Sequence, residues 1–215
     1  QMSPGIQVLA LSATIRNAEE IAGWLKAKSV TTDWRPVELK EGVAMGGHIT
    51  FKDGSVRSLE DHHKQDAVNL ALNALQGKGQ SLIFLESRKR AESTARVAAN
   101  ALKNTLSRRE LTQLQGVSAE VSIHGEKTRL TDELAYCVAG GAAFHHAGLS
   151  RDHRRLVEES FKKGVIKVLA ATPTLAAGVN LPARTVVIGS YRRFMPGYGM
   201  HPIPVLEYKQ MSGRA

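Results

Sequence analysis

Five residues with phosphate-binding side chains follow apolar segments of the sequence. Hydroxyl and guanidinium groups near the start of a helix, together with the free backbone N–H groups there, bind phosphate oxygens. The five residues are Ser87, Arg88, Arg151, Thr172 and Thr174. Because a sugar-phosphate backbone can touch several such points in succession, the pattern predicts nucleic-acid contacts that carry no sequence information.

Cationic side chains cluster in one of these segments. Arg151, Arg154 and Arg155 stand in the first turns of a helix that Ser150 is expected to cap. Cations at this end of a helix oppose its dipole, and a phosphate backbone would compensate for that. The alternative is a solvated basic helix face.

Apolar segments alternate with amphipathic helical patterns, which predicts an α/β fold with a parallel sheet covered by helices on both faces. The predicted strands are 7–11, 81–85, 142–144, 165–171 and 185–188, with a hairpin across Asp53-Gly54. The predicted helices are 17–25, 65–75, 91–106, one near Leu111, 128–138, 151–161 and 173–177. Ligands of such sheets bind beyond the carboxyl ends of the strands, where these five residues are expected to lie.

Aromatic and basic residues alternate near the end of the sequence. Arg192, Phe194 and Tyr198 flank a turn predicted at Pro196-Gly197, and 203–208 is predicted to be the return arm of a protruding hairpin. Exposed aromatic and basic groups suit base stacking and backbone contact. A packed loop with core aromatics is the alternative.

The composition favours a polyanionic partner. Lys and Arg number 29 against 20 Asp and Glu, which gives a net charge of +9. Cys137 is the single cysteine, which excludes an internal disulfide and a cysteine-based zinc site. No apolar run is long enough to span a membrane, and no secretory signal is visible.

Two elements of a complete nucleoside triphosphatase are missing from the sequence. There is no G-x-x-x-x-G-K-[ST] loop to cradle phosphates, and no acidic pair follows an apolar strand to hold magnesium. The polar stretch 60–63, Glu-Asp-His-His, is more typical of a solvated surface than of a metal site.

Four segments, taken in order, resemble motifs of superfamily 2 helicases. SAT at 12–14, FHHAGLSRDHRR at 144–155, ATPTLAAGVNLPA at 171–183 and QMSGRA at 210–215 are similar to motifs III, IVa, V and the first half of VI. The resemblance covers nearly the whole chain. It is closest to the archaeal DNA-repair helicases of the superkiller-like branch, which are related to helicase Q and to the helicase part of polymerase theta.

The resemblance implies a domain layout and a set of partners. Residues 1–33 would be the tail of a first RecA-like domain, and 34–215 the second RecA-like domain, truncated within motif VI. The first domain of the same polypeptide would hold most of the ATP and Mg²⁺. The motor would move 3′ to 5′ on single-stranded and forked DNA in repair, inside the cell with the nucleoid DNA and away from membranes.

The resemblance also implies residue roles. Ser87, Arg88, His146, Arg151, Thr172 and Thr174 would hold the DNA backbone, and the hairpin with Arg192, Phe194 and Tyr198 would separate the duplex. The residues expected near ATP are Gly178, Asn180, Gln210 and Arg214, with Gln210 and Arg214 in catalytic roles. Ser12, Ala13 and Thr14 would couple nucleotide state to DNA binding.

The second arginine of the family's motif VI does not occur before the sequence ends at Ala215. Together with the missing phosphate loop, this predicts that the isolated chain has no appreciable ATPase activity. The alternatives are an RNA helicase of the same superfamily and a non-catalytic RecA-like module that binds nucleic acid. Phosphate contacts alone do not separate DNA from RNA.

Overall fold

The computed structural model describes residues 8–12, 15, 17–32, 34–35, 37–60, 63, 65–77, 79–124, 126–175, 179–195 and 197–215. The chain divides into two compact units, Gln1–Glu38 and Leu39–Ala215. The division falls after residue 38, and the boundary after residue 33 that the helicase resemblance implies stays a prediction. Among the described residues, no helix is long and apolar enough to cross a membrane.

In its described residues, the first unit contains one helix, α1 (Ala18–Leu25), as the sequence predicts. Glu19 and Glu20 occupy its first turn, where the helix dipole favours acidic side chains. The strand predicted at 7–11 is wrong for the part that the structure describes, because residues 8–11 belong to no strand. A strand needs a hydrogen-bonded neighbour, and the described part of this unit offers none.

The second unit begins with a small antiparallel sheet. Its strands are β1 (Gly42–Met45), β2 (His48–Phe51) and β3 (Val56–Ser58), in the order β1-β2-β3. The turn between β2 and β3 contains Asp53 and Gly54, and Gly54 has a positive φ of 83°. The predicted hairpin is therefore confirmed, and β1 is an additional strand beside it.

A parallel four-stranded sheet forms the centre of this unit. Its strands are β4 (Ser81–Phe84), β5 (Ala142–His145), β6 (Val168–Ala171) and β7 (Thr185–Ile188), in the order β5-β6-β4-β7. Every residue of β4, β5 and β6 is buried, so both faces of these strands are covered. The predicted α/β class with a parallel sheet is confirmed.

Among the described residues, five helices lie around the sheet. They are α2 (Asp66–Leu75), α3 (Arg88–Leu102), α4 (Arg108–Ile123), α5 (Arg129–Ala139) and α6 (Arg151–Lys162). Helix α2 packs on β4 and β7, α3 on β5 and β6, and α4 on α5. Along the strand order β5-β6-β4-β7, the connection from β4 to β5 runs one way and the connection from β5 to β6 runs the other way. Because both crossovers are right-handed, α3 and α6 lie on opposite faces of the sheet.

The last elements are a hairpin and a helix. Strands β8 (Arg192–Met195) and β9 (Gly199–Pro202) pair antiparallel, with Gly197 in the turn at a φ of 81°. The prediction that 203–208 is the return arm is wrong, because Val205–Ser212 forms helix α7. Pro204 precedes this helix with a φ of −58°, a value that suits the start of a helix better than the interior of a strand.

Candidate nucleic-acid interface

The carboxyl ends of the four central strands lie in one row. The strand register pairs His145 with Ala171, Ala171 with the end of β4 at Phe84, and Phe84 with Ile188. The segments that leave these strands therefore start side by side along one edge of the sheet. We call this row the carboxyl edge, and it brings together the exits of β4, β5 and β6 that the sequence marks as phosphate-binding.

The exit of β4 leads into the first turn of α3. Ser87 caps this helix, because its Oγ accepts a hydrogen bond from the N–H of Arg90 at 3.3 Å. Arg90 pairs with Glu86 at 3.3 Å. Arg88 is exposed, and its Nη1 lies 3.5 Å from the position that a Cβ would take on Gly148. The guanidinium of Arg88 thus stands beside the turn that follows β5.

The turn after β5 is organised by a buried imidazole. The side chain of His146 is 1% exposed, and its Nδ1 accepts a hydrogen bond from the N–H of Gly148 at 3.1 Å. The ring stacks on Phe144 with a centroid distance of 5.3 Å. Its Nε2 lies 3.1 Å from Oε1 of Glu92, although the two atoms are not aligned as in a hydrogen bond.

Burial lowers the pKa of His146 below its ordinary range, and the nearby charge of Arg88 acts in the same direction. The Glu92 carboxylate opposes the shift. His146 is therefore a neutral, interior side chain. Its expected contact with a nucleic-acid backbone stays a prediction.

A second buried histidine precedes it. Nε2 of His145 lies 2.8 Å from Oε1 of Glu158 on α6, and burial lowers the pKa of His145. Helix α6 begins as predicted, with the Ser150 Oγ accepting from the N–H of His153 at 3.1 Å. Arg151 is the first residue of this helix and is exposed. It is therefore available to a ligand at the carboxyl edge.

Two threonine hydroxyls mark the exit of β6. Oγ1 of Thr172 and Oγ1 of Thr174 are 3.0 Å apart, and the N–H of Thr172 donates to the carbonyl of His145 at 3.2 Å. Both threonines line a cavity of about 490 Å³, together with Arg192 and Gln210. Gln210, which is expected near ATP, therefore lines the same cavity as the two threonines that are expected to contact DNA.

Two of the residues expected near a nucleotide are in contact. Nη1 of Arg214 donates to Oδ1 of Asn180 at 3.1 Å, and the Arg214 carbonyl accepts from the N–H of Ala183 at 2.8 Å. A Cβ on Gly213 would lie 2.9 Å from the carbonyl of Lys209, so this position suits glycine. The segments 179–183 and 213–215 are therefore held together by side-chain and backbone bonds.

Three of the predicted site residues lie outside the described part of the chain. They are Gly178 near the nucleotide, and Ala13 and Thr14 of the coupling segment. Ser12 is described and belongs to the first unit. The roles given to these four residues stay predictions.

The hairpin exposes its aromatic side chains. Phe194 is 69% exposed and Tyr198 is 75% exposed, and the Arg192 guanidinium lies 5.2 Å from the centroid of the Tyr191 ring. An ion pair of 2.8 Å between Arg193 and Glu207 ties the hairpin to α7. The hairpin therefore presents large apolar surfaces on a base that is fixed to the second unit.

Several partners in this region were not predicted from the sequence. Glu92, Glu158 and Glu207 each pair with a residue of another element. None of them stands at a strand end or in a recognisable motif, so the sequence carries no marker for them. Among the described residues, no cluster of His, Cys, Asp or Glu could hold a metal ion.

The helicase conserved C-terminal domain family matches residues 118–215. The ATP-dependent DNA helicase Hel308 of Methanocella arvoryzae is 47% identical over all 215 residues of this chain, which span 29% of that protein. The Hel308 proteins of Caldivirga maquilingensis and Pyrococcus horikoshii are 45% and 42% identical, over 97% and 100% of the chain and 28% and 29% of their own lengths.

The parallel α/β sheet, together with the match of residues 118–215 to the helicase conserved C-terminal domain, defines a C-terminal RecA-like domain of a superfamily 2 helicase. The chain spans less than a third of the length of the curated relatives it matches. Within that superfamily, it belongs to the Hel308 family.

Proposed function

We propose that this chain is the C-terminal RecA-like half of an ATP-dependent 3′-to-5′ DNA helicase motor. In this proposal it grips single-stranded DNA along the carboxyl edge and completes an ATP site that it shares with a first RecA-like domain. The observation that carries the proposal is the register of β4, β5 and β6, which aligns three phosphate-binding strand exits.

The nucleic-acid side of the proposal depends on helix starts and hydroxyls. Arg88 and Arg151 are exposed in the first turns of capped helices, next to Thr172 and Thr174 at the neighbouring strand exit. Backbone N–H groups at such helix starts favour anions. A strand that runs along the edge would meet these groups through its phosphates, and base identity would matter little.

The nucleotide side of the proposal depends on Arg214. Its guanidinium, held by Asn180, suits phosphate oxygens, which it can contact through two parallel N–H donors. During hydrolysis of the ATP phosphoanhydride bond, negative charge develops on the phosphoryl oxygens in the transition state. A guanidinium stabilises that charge. In the proposal, Mg²⁺ is held by carboxylates of the first RecA-like domain. Gln210 and Gly178 complete the site.

The hairpin would act as a wedge between duplex strands. Its exposed aromatic rings can stack on unpaired bases, and the Arg193–Glu207 ion pair keeps its base in place. In this proposal, Phe194 and Tyr198 meet the fork while Arg192 contacts the backbone. Residues 1–33 belong to the first RecA-like domain, and residues 12–14 couple its nucleotide state to DNA.

The names of the relatives favour DNA over RNA as the substrate, since each is called an ATP-dependent DNA helicase. We further propose that forked DNA in the cytoplasm, at sites of repair, is the natural substrate. A duplex with a single-stranded 3′ tail is the appropriate probe. Unwinding rates of matched DNA and RNA versions of this duplex distinguish a DNA helicase from an RNA helicase.

The test uses the full-length protein that carries this chain. ATP hydrolysis should rise on addition of single-stranded DNA, and 3′-tailed DNA should be unwound faster than the matched RNA. Arg214→Ala should abolish hydrolysis and leave DNA binding near the wild-type level. Arg109→Ala, at an exposed arginine at the start of α4, is the matched control and should change neither. Wild-type hydrolysis in Arg214→Ala, or faster unwinding of RNA, would refute the proposal.

A further inference from the structure

Two consecutive histidines at the end of β5 contact helices on different faces of the sheet. Successive residues of a strand point to opposite faces. His145 reaches Glu158 on α6, and His146 reaches Glu92 on α3. These two helices carry Arg151 and Arg88 in their first turns. The pair therefore joins the end of the strand to the two helices that present cations at the carboxyl edge.

The hydrogen bond of His146 defines which nitrogen carries its proton. Nδ1 accepts from the N–H of Gly148, so it is unprotonated, and the proton of the neutral ring is on Nε2, which faces Glu92. A Cβ on Gly148 would lie 3.0 Å from two atoms of this ring, so the turn fits closely around the imidazole. The His146 ring therefore holds this turn in place through the hydrogen bond from Gly148 and through close packing.

The same ring is close to Arg88 without being at the surface. Glu92 stands one helical turn after Arg88 on α3, and Nη1 of Arg88 lies 3.5 Å from the Cβ position of Gly148. The turn that His146 organises is thus one wall of the space in which the Arg88 guanidinium rests. With 1% of its side chain exposed, His146 itself offers no surface to a phosphate.

We propose that His146 is a positioning residue that never touches the nucleic acid. It holds the turn at 146–149 and the start of α3 in register, so that Arg88 meets a backbone phosphate. This inference rests on the proposed function, because it assigns His146 an indirect part in the same interface.

A double-mutant cycle tests the inference in the full-length protein, with fluorescence anisotropy of a labelled oligothymidine as the measurement. Arg88→Ala should weaken binding by about fivefold at low salt and lower the slope of log K against log salt by about one. His146→Phe keeps an aromatic ring and removes both polar contacts. It should produce about the same loss and the same change of slope.

Two further variants separate a positioning role from a loss of folding. His146→Asn places an acceptor oxygen near the Nδ1 position and should restore binding to within about twofold of wild type. Glu92→Gln keeps an oxygen that can accept from Nε2 of His146 and removes a negative charge from the helix that carries Arg88, so it should not weaken binding. Thermal unfolding of each variant reports whether the fold is retained.

The decisive quantity is the coupling between Arg88 and His146. If His146 acts through Arg88, the double variant Arg88→Ala with His146→Phe should bind no more weakly than either single variant. Additive losses would mean that His146 contributes separately and would overturn the inference, as would wild-type binding by a folded His146→Phe. Wild-type binding by Arg88→Ala would instead refute the proposed interface, and the inference with it.

Discussion

The carboxylate of Glu110 joins a helix start to the loop before β6. It accepts a hydrogen bond from the N–H of Ser107 at 2.9 Å, and the Ser107 Oγ accepts from the N–H of Glu110, which forms a capping box at α4. Its other oxygen lies 2.8 Å from Nζ of Lys167, which also donates to the carbonyl of Gly164 at 2.9 Å. Glu110→Gln removes the charge and keeps the shape.

The magnitude follows from the pKa of this group. Lys167 and the hydrogen bonds from Ser107 lower the pKa of Glu110 from 4.5 to about 2. The difference of about 2.5 units corresponds to a ceiling of ~3.4 kcal/mol at 1.36 kcal/mol per unit. The Glu110 side chain is 34% exposed, and solvent screening reduces the contribution to ~1 kcal/mol.

The pH dependence has a definite sign. Because the folded pKa lies below the unfolded one, the stabilisation is complete above about pH 4.5 and is lost as the pH falls towards 2. Urea unfolding of the 215-residue chain, followed by circular dichroism, should show Glu110→Gln less stable by ~1 kcal/mol at pH 7. The difference should shrink at pH 3.5. An equal difference at both pH values, or none at pH 7, would refute the reasoning.

Three other outcomes are expected. Thr174→Ala should weaken binding to single strands about equally for all base sequences, measured by anisotropy on oligonucleotides of different composition. Phe194→Ala should slow unwinding more than ATP turnover in the full-length protein, and equal losses would remove the wedge role. The stability of the second unit should fall as the pH drops below about 6.5, because burial keeps the folded pKa of His145 under its unfolded value. In His145→Gln this dependence should be weaker, and an unchanged slope of stability against pH would contradict the assignment.

The sequence allowed the central sheet to be predicted because its strands are short apolar runs bounded by polar residues. Segments 81–84, 142–145 and 168–171 are buried on both faces, and such burial selects continuous apolar sequences. The mistaken elements are those whose state depends on distant neighbours. Residues 8–11 have the composition of a strand but no described partner strand. In 205–212, the apolar and polar residues follow neither the strand period nor the helix period clearly, so the sequence suits either element.

The candidate site was predictable only in part, for a related reason. Strand exits can be recognised in a sequence because a cap or a threonine follows an apolar run, as at Ser87 and Thr172. The burial of His146 could not be predicted, because it depends on Glu92 and Phe144 closing around the ring in three dimensions. A histidine that follows a strand has the same sequence context whether it faces solvent or the core.

The proposed DNA path along the carboxyl edge is tested most directly by hydrogen–deuterium exchange with and without oligothymidine. Bound DNA should slow amide exchange in 85–90, 146–151 and 172–175, which are the exits of β4, β5 and β6. Segments 103–110 and 163–167, which lead into α4 and β6 away from that edge, should exchange at the same rate with and without DNA. Slowing confined to these latter segments, with none at the three strand exits, would contradict the account.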